Sequence, residues 1–177
     1  GVSSAYGPSS FSDGNSPGVD TGGNFREVLA TVERRSERWI FGLGLGFFAS
    51  DLSGTSASSP ADVGSPVNSF SLRSYTRSSE GEIARLGARY RIAERISAGL
   101  FADLLFGNSV SFGSDPFDSG RSTNGLGGGE VLYSVLTPRD FLGLRLDVGA
   151  RYVASLGLPE GRLSAWQGVF SAAVPID

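Results

Sequence analysis

Residues 141–154 alternate in chemistry at every step, and that alternation leaves little choice of fold. Leu142, Leu144, Leu146, Val148, Ala150, Tyr152 and Ala154 share one face, while Gly143, Arg145, Asp147, Gly149, Arg151 and Val153 share the other. A β-strand sends successive side chains to opposite faces, so this spacing makes one apolar and one polar face. On a helix the same charges would scatter around the cylinder and no apolar stripe would form.

The period recurs. Between 82 and 92, Ala84, Leu86, Ala88, Tyr90 and Ile92 oppose Arg85, Gly87, Arg89 and Arg91, with Ile83 as an exception on the polar face. After Ala93, Glu94 and Arg95 it resumes, with Ile96, Ala98, Leu100, Ala102, Leu104 and Phe106 against Ser97, Gly99, Phe101, Asp103 and Leu105. A further stripe holds Trp39, Phe41, Leu43, Leu45 and Phe47, opposite Ile40, Gly42, Gly44, Gly46 and Phe48. Segments 25–34, 129–136 and 163–174 carry weaker versions. The chain is therefore expected to be all-β, built from strands joined by turns.

Residues 1–24 are rich in Gly, Ser and Pro and keep no sustained period, so they read as a tail or an irregular first strand ahead of a domain spanning 25–177. Residues 50–69 and 108–128 have the same character and read as long loops, with turn signals at Pro60, Pro66 and Pro116. Two strand counts follow. If 69–92 is one long strand, seven strands are visible and the eighth comes from 1–24. If Arg77, Ser78, Ser79, Glu80 and Gly81 form a hairpin turn, the count is already eight, but the 50–68 loop falls on the wrong side. The first count is preferred.

Alternation alone fits a soluble barrel or sandwich as well as a membrane barrel with its apolar face outward. Three features favour the membrane. The stripes are long and unbroken, and a transmembrane strand needs ~9–11 residues to cross. Aromatics stand at stripe ends: Trp39, Phe47, Tyr90, Phe106 and Tyr152, the places where rings meet the membrane interface. Glycines crowd the polar face (Gly42, Gly44, Gly46, Gly87, Gly99, Gly143 and Gly149), where they weaken a water-facing strand but leave room for long side chains inside a narrow barrel. Closure is then required, because an open sheet edge in hydrocarbon leaves backbone groups unpaired.

On the paired segments 82–106 and 129–154, with short turns at Ala93, Glu94 and Arg95 and at Thr137, Pro138, Arg139 and Asp140, the chain resembles the small eight-stranded bacterial outer-membrane barrels of the OmpA/OmpX type. The resemblance is one of pattern and covers about 25–174. It implies a closed antiparallel transmembrane β-barrel of eight strands, with long loops on one side and tight turns on the other, in the bacterial outer membrane. The start at Gly1 without Met fits a chain processed after secretion. One departure is the end, Val174, Pro175, Ile176 and Asp177. It lacks the terminal aromatic common in such barrels, so the end is either trimmed or atypical.

Composition narrows the chemistry. The chain has no His and no Cys, and all fifteen of its basic residues are Arg. The commonest general base, thiol nucleophile and metal ligands are thus missing. No catalytic residue, metal or cofactor is expected. Gly125, Leu126, Gly127, Gly128 and Gly129 cannot form a P-loop without Lys and read as loop flexibility. Asp13, Asp20, Asp51, Asp62, Asp115 and Asp118 read as turn-forming loop residues, with weak Ca²⁺ binding as the alternative. A net charge of -3 gives no support for a nucleic-acid partner.

The remaining constellation is Arg85, Arg89, Arg91, Asp103, Arg145, Asp147 and Arg151, all on the expected inner face. It reads as an ion-pair network filling the lumen, with Arg85 opposite Asp103 across the hairpin, and Glu82, Glu130 or loop residues making up the charge balance. Alternatively, surplus Arg lines a narrow anion-preferring pore. The expected role is a non-enzymatic structural anchor or interaction component of the cell envelope. Its partners would be the lipid bilayer and either other envelope proteins or further copies of itself. The alternatives are a small passive pore and a soluble β-barrel or sandwich acting as a binding module.

Overall fold

A computed structural model describes residues 1–12, 20–58, 71–113, 120–137, 143–156 and 162–174. Every regular element among them is a strand: β1 (Val2–Ser12), β2 (Asp20–Arg35), β3 (Trp39–Ser58), β4 (Ser71–Arg91), β5 (Ile96–Gly113), β6 (Gly120–Leu136), β7 (Arg145–Ser155) and β8 (Arg162–Ala173). Each strand pairs antiparallel with its sequence neighbours, and β1 pairs with β8, which closes the barrel. Closure gives every strand two partners, so no row of unpaired N–H and C=O groups is left at an edge.

The strand count follows the preferred reading. β4 is one long strand through Arg77 and Gly81, so no hairpin turn interrupts it. The closing strand comes from the Gly/Ser/Pro-rich start, and residue 24 lies inside β2 rather than at a boundary. Pro8 fits β1 because the ladder to β8 skips it and Gly7, passing from Tyr6↔Gly168 to Ser9↔Ala165. A residue without an N–H is tolerated where the ladder is already open.

Two segments read as loops, 50–69 and 108–128, are strand wherever they are described. The β3–β4 ladder runs out to Ser58↔Ser71, and the β4–β5 ladder to Tyr75↔Gly113. Polar Ser- and Gly-rich stretches still pair there because each continues a hairpin already in register. The glycine run 125–129 is likewise part of β6, paired on both sides rather than flexible. Asp51 lies in β3 and accepts a hydrogen bond from Ser78 Oγ at 2.8 Å. Asp20 opens β2, whereas Asp13, Asp62, Asp115 and Asp118 lie outside the described residues.

At the other end, β7 begins later than the alternation suggests. Gly143 takes a positive φ of 74°, a left-handed conformation that suits a residue without Cβ, so it belongs to the turn and the strand starts at Arg145. Pro138, Arg139 and Asp140 of that turn lie outside the described residues, as do Phe141 and Leu142.

The two faces of the sheet are chemically inverted relative to a soluble barrel. Leu43, Leu45, Phe47, Leu86, Leu100 and Trp166 each expose between 63% and 73% of their surface. Arg85, Arg89, Asp103, Arg145, Asp147 and Arg151 are buried. A soluble protein rarely exposes contiguous apolar surface beyond a few hundred Å². A belt that runs round the barrel while the charges sit inside suits hydrocarbon, and it rules out the soluble binding module.

Candidate functional site in the barrel lumen

The lumen has two layers. Toward the end of the barrel that carries the 13–19, 59–70 and 114–119 connections lies an apolar cluster: Phe25, Leu29, Phe48, Ile83, Phe101, Leu105, Leu126, Val153 and Ala165. Phe25 and Phe48 stack with ring centroids 5.9 Å apart and planes 10° apart. Ile83, an exception in the sequence pattern, belongs to this layer and is 1% exposed. Toward the end with the 36–38 and 92–95 turns, charged residues join the inward positions, beside a smaller apolar cluster of Ala5, Leu132 and Val169 and beside Ile40.

These charges form one continuous chain. The Arg85 guanidinium donates to both oxygens of Asp103, each at 2.6 Å, and to both oxygens of Glu27 at 2.7 and 2.8 Å. Glu27 also accepts from Arg151 Nη1. Arg151 reaches on to Glu130 at 2.7 and 3.0 Å. Glu130 lies 3.7 Å from Arg89, which bonds Glu33. Glu33 meets Arg145 at 3.3 Å, and Arg145 pairs with Asp147 two residues along its own strand, Nε to Oδ1 at 2.7 Å. Ser134 Oγ donates to Asp147 as well, at 2.7 Å.

Charge alternates in sign along this path from Asp103 to Asp147. Five strands contribute: β2, β4, β5, β6 and β7. Planar guanidinium groups suit such bridging because each offers five donors in a fixed fork. Phe101 supplies an aromatic face between the layers, with the Arg85 and Arg151 guanidinium carbons 4.5 and 4.7 Å from its centroid.

Glycine makes room for this arrangement. Gly99 pairs with Arg89 across β4 and β5, and a Cβ at Gly99 would stand 2.5 Å from Arg89 Cγ. The strands without inward charge complement it: β3 presents Gly42, Gly44 and Gly46, and β1 presents Ser3, Gly7 and Ser9. On this side a cavity of about 50 Å³ separates Ser3, Thr31 and Ser171 from Arg89 and Glu130. That is room for a few waters with polar partners.

Of the residues singled out in the sequence, Arg85, Arg89, Asp103, Arg145, Asp147 and Arg151 meet in this chain. Arg91 does not: it is half-buried at the short-turn mouth and makes no ion pair among the described residues. Glu82 is exposed on the outer face, so it cannot balance charge inside. Glu27 and Glu33 do so, and the sequence reading missed both. With Glu130 they bring the chain to five carboxylates against four Arg, which removes the interior Arg surplus behind the anion-preferring pore. The missed signal is in β2, where Arg26 and Arg34 face outward while Glu27 and Glu33 face inward. Charge on both faces hides the period.

The singled-out aromatics lie on the outer side. Trp39, Phe47, Phe106 and Tyr152 are exposed, and Tyr90 is half-buried against Trp39, edge-on at 5.2 Å. Arg38 Nη1 lies 3.2 Å from the Tyr90 hydroxyl. Tyr152 packs on Trp166, an aromatic of the weaker 163–174 stripe, with ring centroids 5.0 Å apart.

No protein-family model matches the sequence, and no curated protein matches it. Solved structures do. The crystal structure of Ail, the attachment invasion locus protein of Yersinia pestis, aligns with a TM-score of 0.51 at 14% identity, covering 97% of this chain and 96% of that one. Neisserial surface protein A (NspA) aligns at 0.48 and 13% identity, covering 96% of this chain and 93% of that one. The fold is that of a small outer-membrane β-barrel. At this identity the likeness speaks to architecture, so function rests on the lumen and the surface of this chain.

Proposed function

We propose that the protein is a non-enzymatic outer-membrane barrel with a sealed lumen, serving as an anchor that holds its long loops at the cell surface or joins an envelope assembly. The observation that carries this reading is the unbroken Asp103-to-Asp147 charge chain beneath the apolar cluster. Buried charges persist when paired and hydrogen-bonded, and an eight-stranded interior is just wide enough for side chains to fill. The inward carboxylates Glu27, Glu33, Asp103, Glu130 and Asp147 are all engaged by Arg, and the chain has no His or Cys to serve as a base or thiol nucleophile. The aromatics Trp39, Phe47, Tyr90, Phe106 and Tyr152 would sit at the two membrane interfaces, where amphipathic rings are favoured.

The test is single-channel recording of the folded barrel in a planar bilayer, with heat-modifiable gel migration as the check on folding. A sealed lumen gives a folded, compact band and no conductance steps. Steady ohmic conductance from the folded protein would replace the anchor with the narrow pore.

A further inference from the structure

The short-turn mouth of the barrel holds a second feature, at the Arg145 end of the charge chain. A pocket of about 270 Å³ opens there, lined by Arg35, Arg91, Arg95 and Arg145 together with Glu94 and Ser97. Among the described residues Glu33 is shared by Arg35 and Arg145, and Arg145 also binds Asp147. Glu33 is shared again with Arg89. Glu94 is a further carboxylate at this mouth. The fourth nearby carboxylate, Glu130, lies 3.7 Å from Arg89 and is hydrogen-bonded to Arg151.

Donor capacity at the mouth is uneven. Arg145 spends Nε, Nη1 and Nη2 on Asp147 and Glu33. Arg35 uses Nη2 alone on Glu33. Arg95 Nη1 donates to the Val135 carbonyl at 3.3 Å. Arg91 follows Arg85 and Arg89 in phase on β4, so it points to the barrel axis, yet it carries no ion pair among the described residues. An inward, half-buried guanidinium with its fork uncommitted, beside a second Arg with donors to spare, is a receptor for a planar or tetrahedral oxyanion.

We propose that this vestibule binds a phosphate-class anion, with Arg91 as the principal ligand and Arg35 beside it. The anion comes either from a free phosphate compound or from the headgroup of an anionic phospholipid in the adjoining leaflet. Both present the same oxygens to the same fork.

The experiment is calorimetric titration of the full barrel with pyrophosphate in uncharged maltoside micelles. The variants are Arg91→Gln and, as a control of equal charge, Arg34→Gln on the outer face. Saturable binding that weakens at least about tenfold in Arg91→Gln and stays unchanged in Arg34→Gln supports the site. Heat-modifiable migration of both variants shows that the barrel has folded. Repeating the titration in nanodiscs of phosphatidylcholine alone or mixed with phosphatidylglycerol separates the sources: loss of pyrophosphate binding only in the mixed discs identifies the lipid headgroup, and unchanged binding identifies a free phosphate compound. Absence of saturable binding, or equal weakening by the two variants, would overturn the site in favour of diffuse attraction to positive charge. Conductance is not read in this experiment, so its failure leaves the sealed-lumen reading untouched.

Discussion

The charged and apolar layers of the lumen occupy the same kind of position on the same strands, yet they are held by different physics. On β4, Ile83 and Arg85 are neighbours on one face; Ile83 is 1% exposed and Arg85 is 9% exposed. Ile83 is held by packing, which has no required partner and tolerates modest change in shape. Arg85 is held only because Asp103 and Glu27 surround its guanidinium. The apolar layer is therefore locally forgiving, whereas each member of the charged layer depends on named partners on other strands.

The largest expected effect comes from breaking that dependence. Arg85→Ala leaves Asp103, whose side chain is 1% exposed, without a hydrogen-bonded basic partner among the described residues and with only the more distant Arg151 acting on it. The cost should be ~3–5 kcal/mol, the range for an orphaned buried charge. Asp103→Ala should cost less, because Arg85 keeps Glu27. Replacing both partners at once, as Arg85→Met with Asp103→Leu, should recover most of the loss, since an apolar pair of similar volume is often neutral. Urea unfolding in lipid vesicles, followed by the fluorescence of Trp39 and Trp166, measures all three. A single variant no worse than the double would mean that water, not Arg85, solvates Asp103.

The outer face supplies the opposite test. Leu43 lies midway between Trp39 and Phe47 on the outward stripe and is 63% exposed. Leu43→Arg should cost ~2–4 kcal/mol if that stripe meets the middle of the bilayer. The same change in detergent, where the charge reaches water more easily, should cost less. Equal stability of the variant and the parent in vesicles would remove the lipid from this face.

How much of this was legible follows from where the alternation is clean. β4 and β5 carry period-two patterns over 82–92 and 96–106, broken at Ile83, and the short turn between them fixes register, so Arg85 falls opposite Asp103 from the sequence alone. β1 was legible only as the strand a closed barrel still needed, because Ser, Gly and Pro give it no stripe. The first half of β6 hid for a related reason: Gly125, Gly127 and Gly129 take the outward positions where apolar residues would have marked a strand. The charge balance was the deepest gap. Glu27 reaches Arg85 and Arg151 across the lumen, 58 and 124 residues away in the chain, and no local pattern encodes a contact across the barrel axis.

Within the apolar layer, a conservative truncation should show how forgiving packing is. Ile83→Val removes one methylene from the cluster that holds Phe25 and Phe48 and should cost ~0.5–1.5 kcal/mol. The loss should not depend on salt, since no charge is involved. A loss as large as that of Arg85→Ala would mean that the apolar layer is as specific as the charged one, and the contrast between them would fail.

The smallest effect is expected where the charged layer meets water. Arg35 pairs with Glu33 at 2.7 Å, with the two side chains 31% and 15% exposed. Glu33 keeps Arg89 and Arg145 when Arg35 is removed, so Arg35→Gln orphans nothing. The pair is partly solvated, and such pairs contribute under ~1 kcal/mol. Salt should erase even that, because exposed charges are screened over about 8 Å at physiological ionic strength. Arg85→Ala should keep its cost across the same salt range, since its pairs are buried. Urea unfolding of both variants at low and high salt makes the comparison. If Arg35→Gln matches Arg85→Ala in size and in indifference to salt, the charges act as one cooperative unit whatever their depth. If it fades while Arg85→Ala persists, depth in the lumen sets the strength of each pair.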